Sequence, residues 1–111
     1  MCGIAGYIGK KEMSRKNIFE TLNLMKNRGP DFQSQSSFSH NNSNISLLHS
    51  RLSIIDLDPR SNQPYLDNNC ILVFNGEIYN YLEIKEELTE LGVSFKTESD
   101  TEVLIKSYQI Y

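Results

Sequence analysis

Apolar residues recur along the chain with a period that changes several times, and the changes mark its elements. Cys2 to Ile8 is a run of small, β-branched and aromatic residues that stops at Gly9-Lys10-Lys11, the pattern of a buried strand followed by a turn. Ile18, Leu22 and Met25 then share one face of a helix that Ser14 can cap and that Gly29-Pro30 halts near Asn27. Residues 33 to 44 are rich in Ser, Asn and Gln with Phe38 as their one strong apolar anchor, so they read as a polar strand pair or an exposed loop. Ile45 to Ile55 is the most strand-like stretch. It sets Leu47, His49, Arg51 and Ser53 on one face and Leu48, Leu52 and Ile54 on the other.

Asp56 to Asn69 follows as a connection long enough to carry function, with Pro59 and Pro64 inside it. Cys70 to Phe74 is uninterrupted apolar sequence, expected of a strand buried on both faces, and it ends at Asn75-Gly76. Asn80 with Glu83 predicts a capped helix whose inner face is Ile84, Leu88 and Leu91 and whose stop is Gly92. Val93 to Lys96 predicts a short strand, and Ser99-Asp100-Thr101-Glu102 a capping box that opens a last helix. This order indicates a mixed α/β or α+β domain, and sheets sandwiched under helices would fit it.

Composition narrows the class. A chain of 111 residues with 39% hydrophobic and 23% charged residues forms one small folded domain. Its net charge of −3 gives no basic footprint for nucleic acid or for a membrane surface. No apolar run reaches membrane-spanning length and no signal peptide opens the chain, so the expected location is the cytoplasm. There, Cys2 and Cys70 are expected to remain thiols, and neither has Cys or His neighbours at zinc-ligand spacing, so no metal site is indicated. The sequence stops at Tyr111 inside an apolar helical pattern, which reads as a truncated chain.

Candidate chemistry begins at Cys2. Removal of Met1 would leave a thiol and a free α-amine on one residue, and an α-amine with a pKa of about 7.7 to 8.0 is a base poised near working pH. Taken alone, Cys2 reads first as a small buried strand residue, as free cysteine often is. Asn75-Gly76 offers a side-chain carboxamide and a flexible backbone N–H as oxyanion donors, but the same dipeptide is also a hairpin signal. Arg51, flanked by apolar residues, needs a partner, and the carboxylate of the protein or of a ligand would serve. Glu77 and Asp100 could hold an ammonium group, although Asp100 also suits a helix N-terminus. His49 competes as a catalytic base, but a histidine in an apolar strand is more simply structural. Arg28-Gly29-Pro30-Asp31 is, on local physics, a helix stop and a turn.

Five ordered blocks then resemble one family: Met1-Cys2-Gly3-Ile4-Ala5-Gly6, Arg28-Gly29-Pro30-Asp31, His49 to Asp56, Phe74 to Asn80, and Ser99-Asp100-Thr101-Glu102-Val103. They look like the N-terminal glutaminase domain of the asparagine synthetases, a class II glutamine amidotransferase with an N-terminal nucleophile. The resemblance implies an α+β, four-layer αββα sandwich, incomplete in residues 1 to 111. It implies Cys2 as nucleophile with its own α-amine as base, Arg51 on the substrate α-carboxylate, and Asn75 and Gly76 as the oxyanion-hole pair. Glu77 and Asp100 match the positions that meet the α-ammonium and neighbouring polar groups. The implied reaction is hydrolysis of glutamine to glutamate and ammonia through a γ-glutamyl thioester. In the asparagine synthetase branch, ammonia passes to a C-terminal domain that uses ATP and Mg to convert aspartate to asparagine. That domain is absent here, so glutamine and the synthetase domain are the implied partners, no cofactor is implied for these residues, and a homodimer is left open. The alternatives are an amidotransferase of the same class with another acceptor, or a non-catalytic glutamine-binding module.

Overall fold

In the computed structural model, which describes all residues from 1 to 111, three strands form the larger of two antiparallel sheets. β1 (Gly3–Gly9) and β2 (Phe32–His40) flank β3 (Ser43–Arg51), in the order β1-β3-β2. The polar stretch from 33 to 44 is therefore the strand pair of the two readings. Its turn is Asn41-Asn42, both at positive φ (49° and 61°), a two-residue turn whose twist matches that of the strands it joins.

Helix α1 (Arg15–Met25), capped by the Ser14 side chain as the sequence predicts, covers one face of this sheet. Gly3 permits its close approach, because a Cβ there would lie 3.1 Å from that of Met25. The Gln33 amide locks the contact by donating to the Leu22 carbonyl and to the Ser50 hydroxyl. Leu48 and Ser50, both fully buried, lie on this side. His49 and Arg51 point the other way and are also buried, so the polar face of β3 is interior rather than solvated.

β3 ends at Arg51, four residues short of the predicted Ile55, and Ile54 is 62% exposed instead of continuing an apolar face. The cause is the Arg51 guanidinium. It draws the carbonyls of Ile55, Asp56 and Asp58 around itself and so curls the chain away from the sheet.

The smaller sheet pairs β4 (Tyr65–Asp67) with β5 (Cys70–Leu72). The predicted strand from Cys70 to Phe74, buried on both faces, is thus shorter and only half-buried. Phe74 leaves the ladder because side chains take its backbone: Gln63 accepts from its N–H, and His49 Nε2 donates to its carbonyl at 3.3 Å. One side of β5 also faces an open apolar cavity with Leu104, Ile105 and Tyr108.

Helix α2 (Tyr81–Glu90) ends at Gly92 (φ 88°) as predicted, but the Asn80 side chain makes no cap bond, and Leu91 is exposed while Leu88 is fully buried. Val93 to Lys96 is not a strand. The N–H groups of Lys96 and Thr97 instead donate to the Glu102 carboxylate, which is why Glu102 does not close the predicted capping box onto Ser99. Ser99 nevertheless caps α3 (Asp100–Ile110) by accepting from the Thr101 N–H at 3.1 Å. The inner face of α3 supplies Val103 and Ile105 to the core, and Lys106 pairs with the buried Asp67 at 2.9 Å. Of 19 buried residues only five are large and apolar, so side-chain hydrogen bonds to the backbone hold much of the interior. None of the helices is long and apolar enough to cross a membrane.

Candidate active site

Cys2 stands immediately before β1, and the β1–β3 register brings it beside the residues that leave β3. Its Sγ accepts from the Leu52 N–H at 3.3 Å and lies 3.6 Å from the Leu52 carbonyl. Its own carbonyl accepts from Arg28 Nε at 3.2 Å. Arg28-Gly29-Pro30-Asp31 therefore does more than stop a helix. Asp31 donates its N–H to the Arg51 carbonyl (3.0 Å) and accepts the Ser53 N–H on its carboxylate (2.7 Å), so the turn straps the start of β1 to the end of β3. Only glycine fits at 29, because a Cβ there would overlap the backbone of Ser50 and Arg51.

Arg51 reaches the same region. Nη1 donates to Asn62 Oδ1 at 2.7 Å and to the Asp58 carbonyl at 3.2 Å, and Nη2 donates to the carbonyls of Ile55 and Asp56. The reading that a protein carboxylate would neutralise this guanidinium is corrected: carbonyl dipoles and one carboxamide do so, because the loop is long enough to wrap it.

Asn75 and Gly76 are delivered by Phe74. Both polar groups of the Phe74 backbone are held, one by His49 and one by Gln63, whose Nε2 also donates to Thr101 Oγ1 at 3.2 Å. A Cβ on Gly76 would lie 2.8 Å from the Phe74 ring, so the backbone there runs too close to the ring for a side chain. The hairpin reading of Asn75-Gly76 fails, since the chain continues into α2. Asp100, buried at the start of α3, accepts the Ile78 N–H at 3.1 Å, and Glu77 is exposed at the rim.

These segments converge on one cavity of about 300 Å³, and its lining includes all six predicted residues: Cys2, Arg51, Asn75, Gly76, Glu77 and Asp100. Met1 lies at the same opening, 71% exposed. An apolar wall comes from Leu52, Ile54 and Ile55. The cavity thus combines a thiol, amide donors from the segment after β5, a guanidinium and two carboxylates, a set able to bind an amino acid by both ends beside a nucleophile. No group of three or more His, Cys, Asp or Glu side chains is arranged to hold a metal ion.

His49 does not line the cavity. Burial pushes its pKa below the ordinary value; the bond to Phe74 opposes this, and nearby Arg51 reinforces it. Its Nδ1 is buried without a partner. It is therefore a neutral imidazole that holds the Phe74 carbonyl.

Sequence reasoning missed Arg28, Asp31, Gln63 and Asp56 as supports of the site. Each acts on a partner at least 11 residues away, so local pattern carries no sign of it, except that Arg28, Asp31 and Asp56 fall within the five blocks that carry the family resemblance.

Residues 1–111 match a family described as a glutamine amidotransferase domain. The chain is 38% identical over 118 residues to asparagine synthetase (glutamine-hydrolysing) 1 of Bacillus subtilis, covering 100% of this chain and 18% of that relative. It is 38% identical over 125 residues to putative asparagine synthetase (glutamine-hydrolysing) 2 of Methanocaldococcus jannaschii, covering 97% of this chain and 24% of the relative. It is also 36% identical over 125 residues to amidase chry2 of Gibberella zeae, covering 100% and 18% respectively. The chain thus spans 18 to 24% of the length of these relatives.

Proposed function

The chain belongs to the glutamine amidotransferase domain family, and from that premise we propose that Cys2, freed by removal of Met1, hydrolyses glutamine to glutamate and ammonia. The observation that carries this is the meeting of Cys2, Arg51, Asn75, Gly76, Glu77 and Asp100 around a single cavity. Met1 is exposed, so an aminopeptidase can reach it, and the small Cys2 side chain suits such an enzyme.

The α-carboxylate of glutamine lies against the charge of Arg51, whose Nε–H is the one donor the loop leaves free, and Asp100 with Glu77 takes the α-ammonium, which leaves the side-chain amide facing Cys2. The Cys2 α-amine accepts the thiol proton as sulfur bonds to the amide carbon. Negative charge collects on the amide oxygen, where the Asn75 carboxamide and the Gly76 N–H donate to it. One such donor is worth about 3 to 4 kcal/mol in the transition state. The tetrahedral centre then breaks its C–N bond, and the nitrogen leaves as ammonia with the proton held by the α-amine. Water, deprotonated by the same amine, hydrolyses the thioester, releasing glutamate and restoring the thiol.

The finer parts of the proposal are a four-layer αββα sandwich in the intact protein and delivery of ammonia to a synthetase domain that makes asparagine from aspartate with ATP and Mg. Support comes from α1 and α3 lying against separate sheets and from the asparagine synthetases among the relatives. We place this chemistry in the cytoplasm, whose reducing conditions keep both cysteines free. A second reading, an acceptor other than aspartate, is kept because one relative, amidase chry2, is not named as an asparagine synthetase.

Cys2→Ala in the intact protein tests the assignment. Glutamine-dependent ammonia release is expected to vanish while synthesis from added ammonia survives. Retention of glutaminase activity would overturn it.

A further inference from the structure

The loop that cradles Arg51 is itself organised by Asp56. This residue sits at φ 52°, a conformation in the left-handed region that aspartate, asparagine and glycine tolerate best. Its Oδ1 accepts the Asp58 N–H at 2.9 Å, and its Oδ2 accepts the Ser61 hydroxyl at 2.7 Å and the Glu98 N–H at 2.8 Å. Its carbonyl accepts from Arg51 Nη2. The bond to Glu98 crosses 42 residues and ties the loop to the segment that runs through Ser99 into Asp100. One residue therefore links Arg51, through its carbonyl, to the approach to Asp100, through its carboxylate.

We propose that Asp56 is the positioning residue that fixes the spacing between Arg51 and Asp100, and through it the affinity of the site for glutamine. The inference rests on the glutamine reading of the cavity and deepens it. Asp56 does not line the cavity, so it acts through those two residues rather than on substrate. Burial is the largest single influence on its carboxyl and opposes ionisation. The bonds from Ser61, Asp58 and Glu98 outweigh it and hold the pKa below the ordinary value, which keeps Asp56 a charged acceptor at neutral pH.

Two variants of the intact protein separate positioning from folding. Asp56→Gly keeps the positive φ without strain but removes all three carboxylate bonds, and Asp56→Asn keeps the φ and part of the acceptor capacity. Groups that hold substrate equally in the ground and transition states act on KM, so the Gly variant should raise KM for glutamine at least about tenfold while kcat stays within about threefold. The Asn variant should lie between it and wild type. Alkylation of Cys2 by iodoacetamide, followed by peptide mass, needs no α-amino-acid clamp. Its rate should match wild type, while protection by glutamine weakens. An unchanged KM, or glutamine protection equal to wild type, would overturn the role of Asp56 alone. Loss of Cys2 alkylation together with a lower melting temperature would reduce Asp56 to a structural residue and also overturn it. Absence of glutamine protection in wild type would overturn the glutamine reading and the inference with it.

Discussion

His49 is held by one bond and lacks a second, and that asymmetry has a measurable consequence. Its Nε2 holds the Phe74 carbonyl, while the buried Nδ1 has no partner. Burial lowers its folded pKa below 6.5, against the pull of Phe74 and with the help of Arg51. The unfolded chain therefore takes a proton near pH 6.5 that the folded chain refuses until lower pH. The resulting contribution is complete above about 6.5 and is lost as pH falls from there through the folded value. Denaturant titrations should show wild-type stability falling across this window and His49→Gln staying flatter. Equal slopes would contradict the assignment. The carboxyls of Asp56 and Asp67 are held below 3.8, so their contributions disappear only in more acid solution. At this scale residue type alone picked out Cys2, Asn75 and Asp100 as candidates, and the fold brings all three to one cavity. It was silent where geometry decides: nothing local says that Arg51 meets four backbone and carboxamide acceptors, because the Ile55–Asn62 loop exists in that shape only once the guanidinium has gathered it.

Among the elements, the strand errors share one cause: side chains capture backbone groups that a ladder would otherwise use. Gln63 and His49 remove Phe74 from β5, and Glu102 takes the N–H groups of Lys96 and Thr97, where a strand was expected. Helices with a clear apolar stripe and a true stop were legible, as α1 with Ser14 and α2 with Gly92 demonstrate. Glu102 is fully buried and also accepts the Thr97 hydroxyl at 2.6 Å. Glu102→Ala would orphan these donors, each at a cost of about 1 to 3 kcal/mol, so unfolding in urea should show a loss of about 3 kcal/mol or more. Glu102→Gln, which keeps an acceptor, should lose less. A loss under about 1 kcal/mol for the Ala variant would mean that water replaces the carboxylate.

The whole molecule matters because no single element contains the site. The thiol comes from the residue before β1, the guanidinium from the end of β3, the amide donors from the segment after β5, and the buried carboxylate from the start of α3. Two polar straps bring them together: Arg28-Gly29-Pro30-Asp31 joins β1 to β3, and Asp56 joins the loop after β3 to the approach to α3. The proposed chemistry depends on Cys2, which has a free α-amine only after Met1 is removed. The most direct test is the intact mass and peptide map of the purified protein after exposure to a glutamine analogue that carries an electrophile in place of the side-chain amide. A chain lacking Met1, with one adduct on Cys2 and none on Cys70, is the predicted result. A retained Met1, or an adduct that bypasses Cys2, would contradict it.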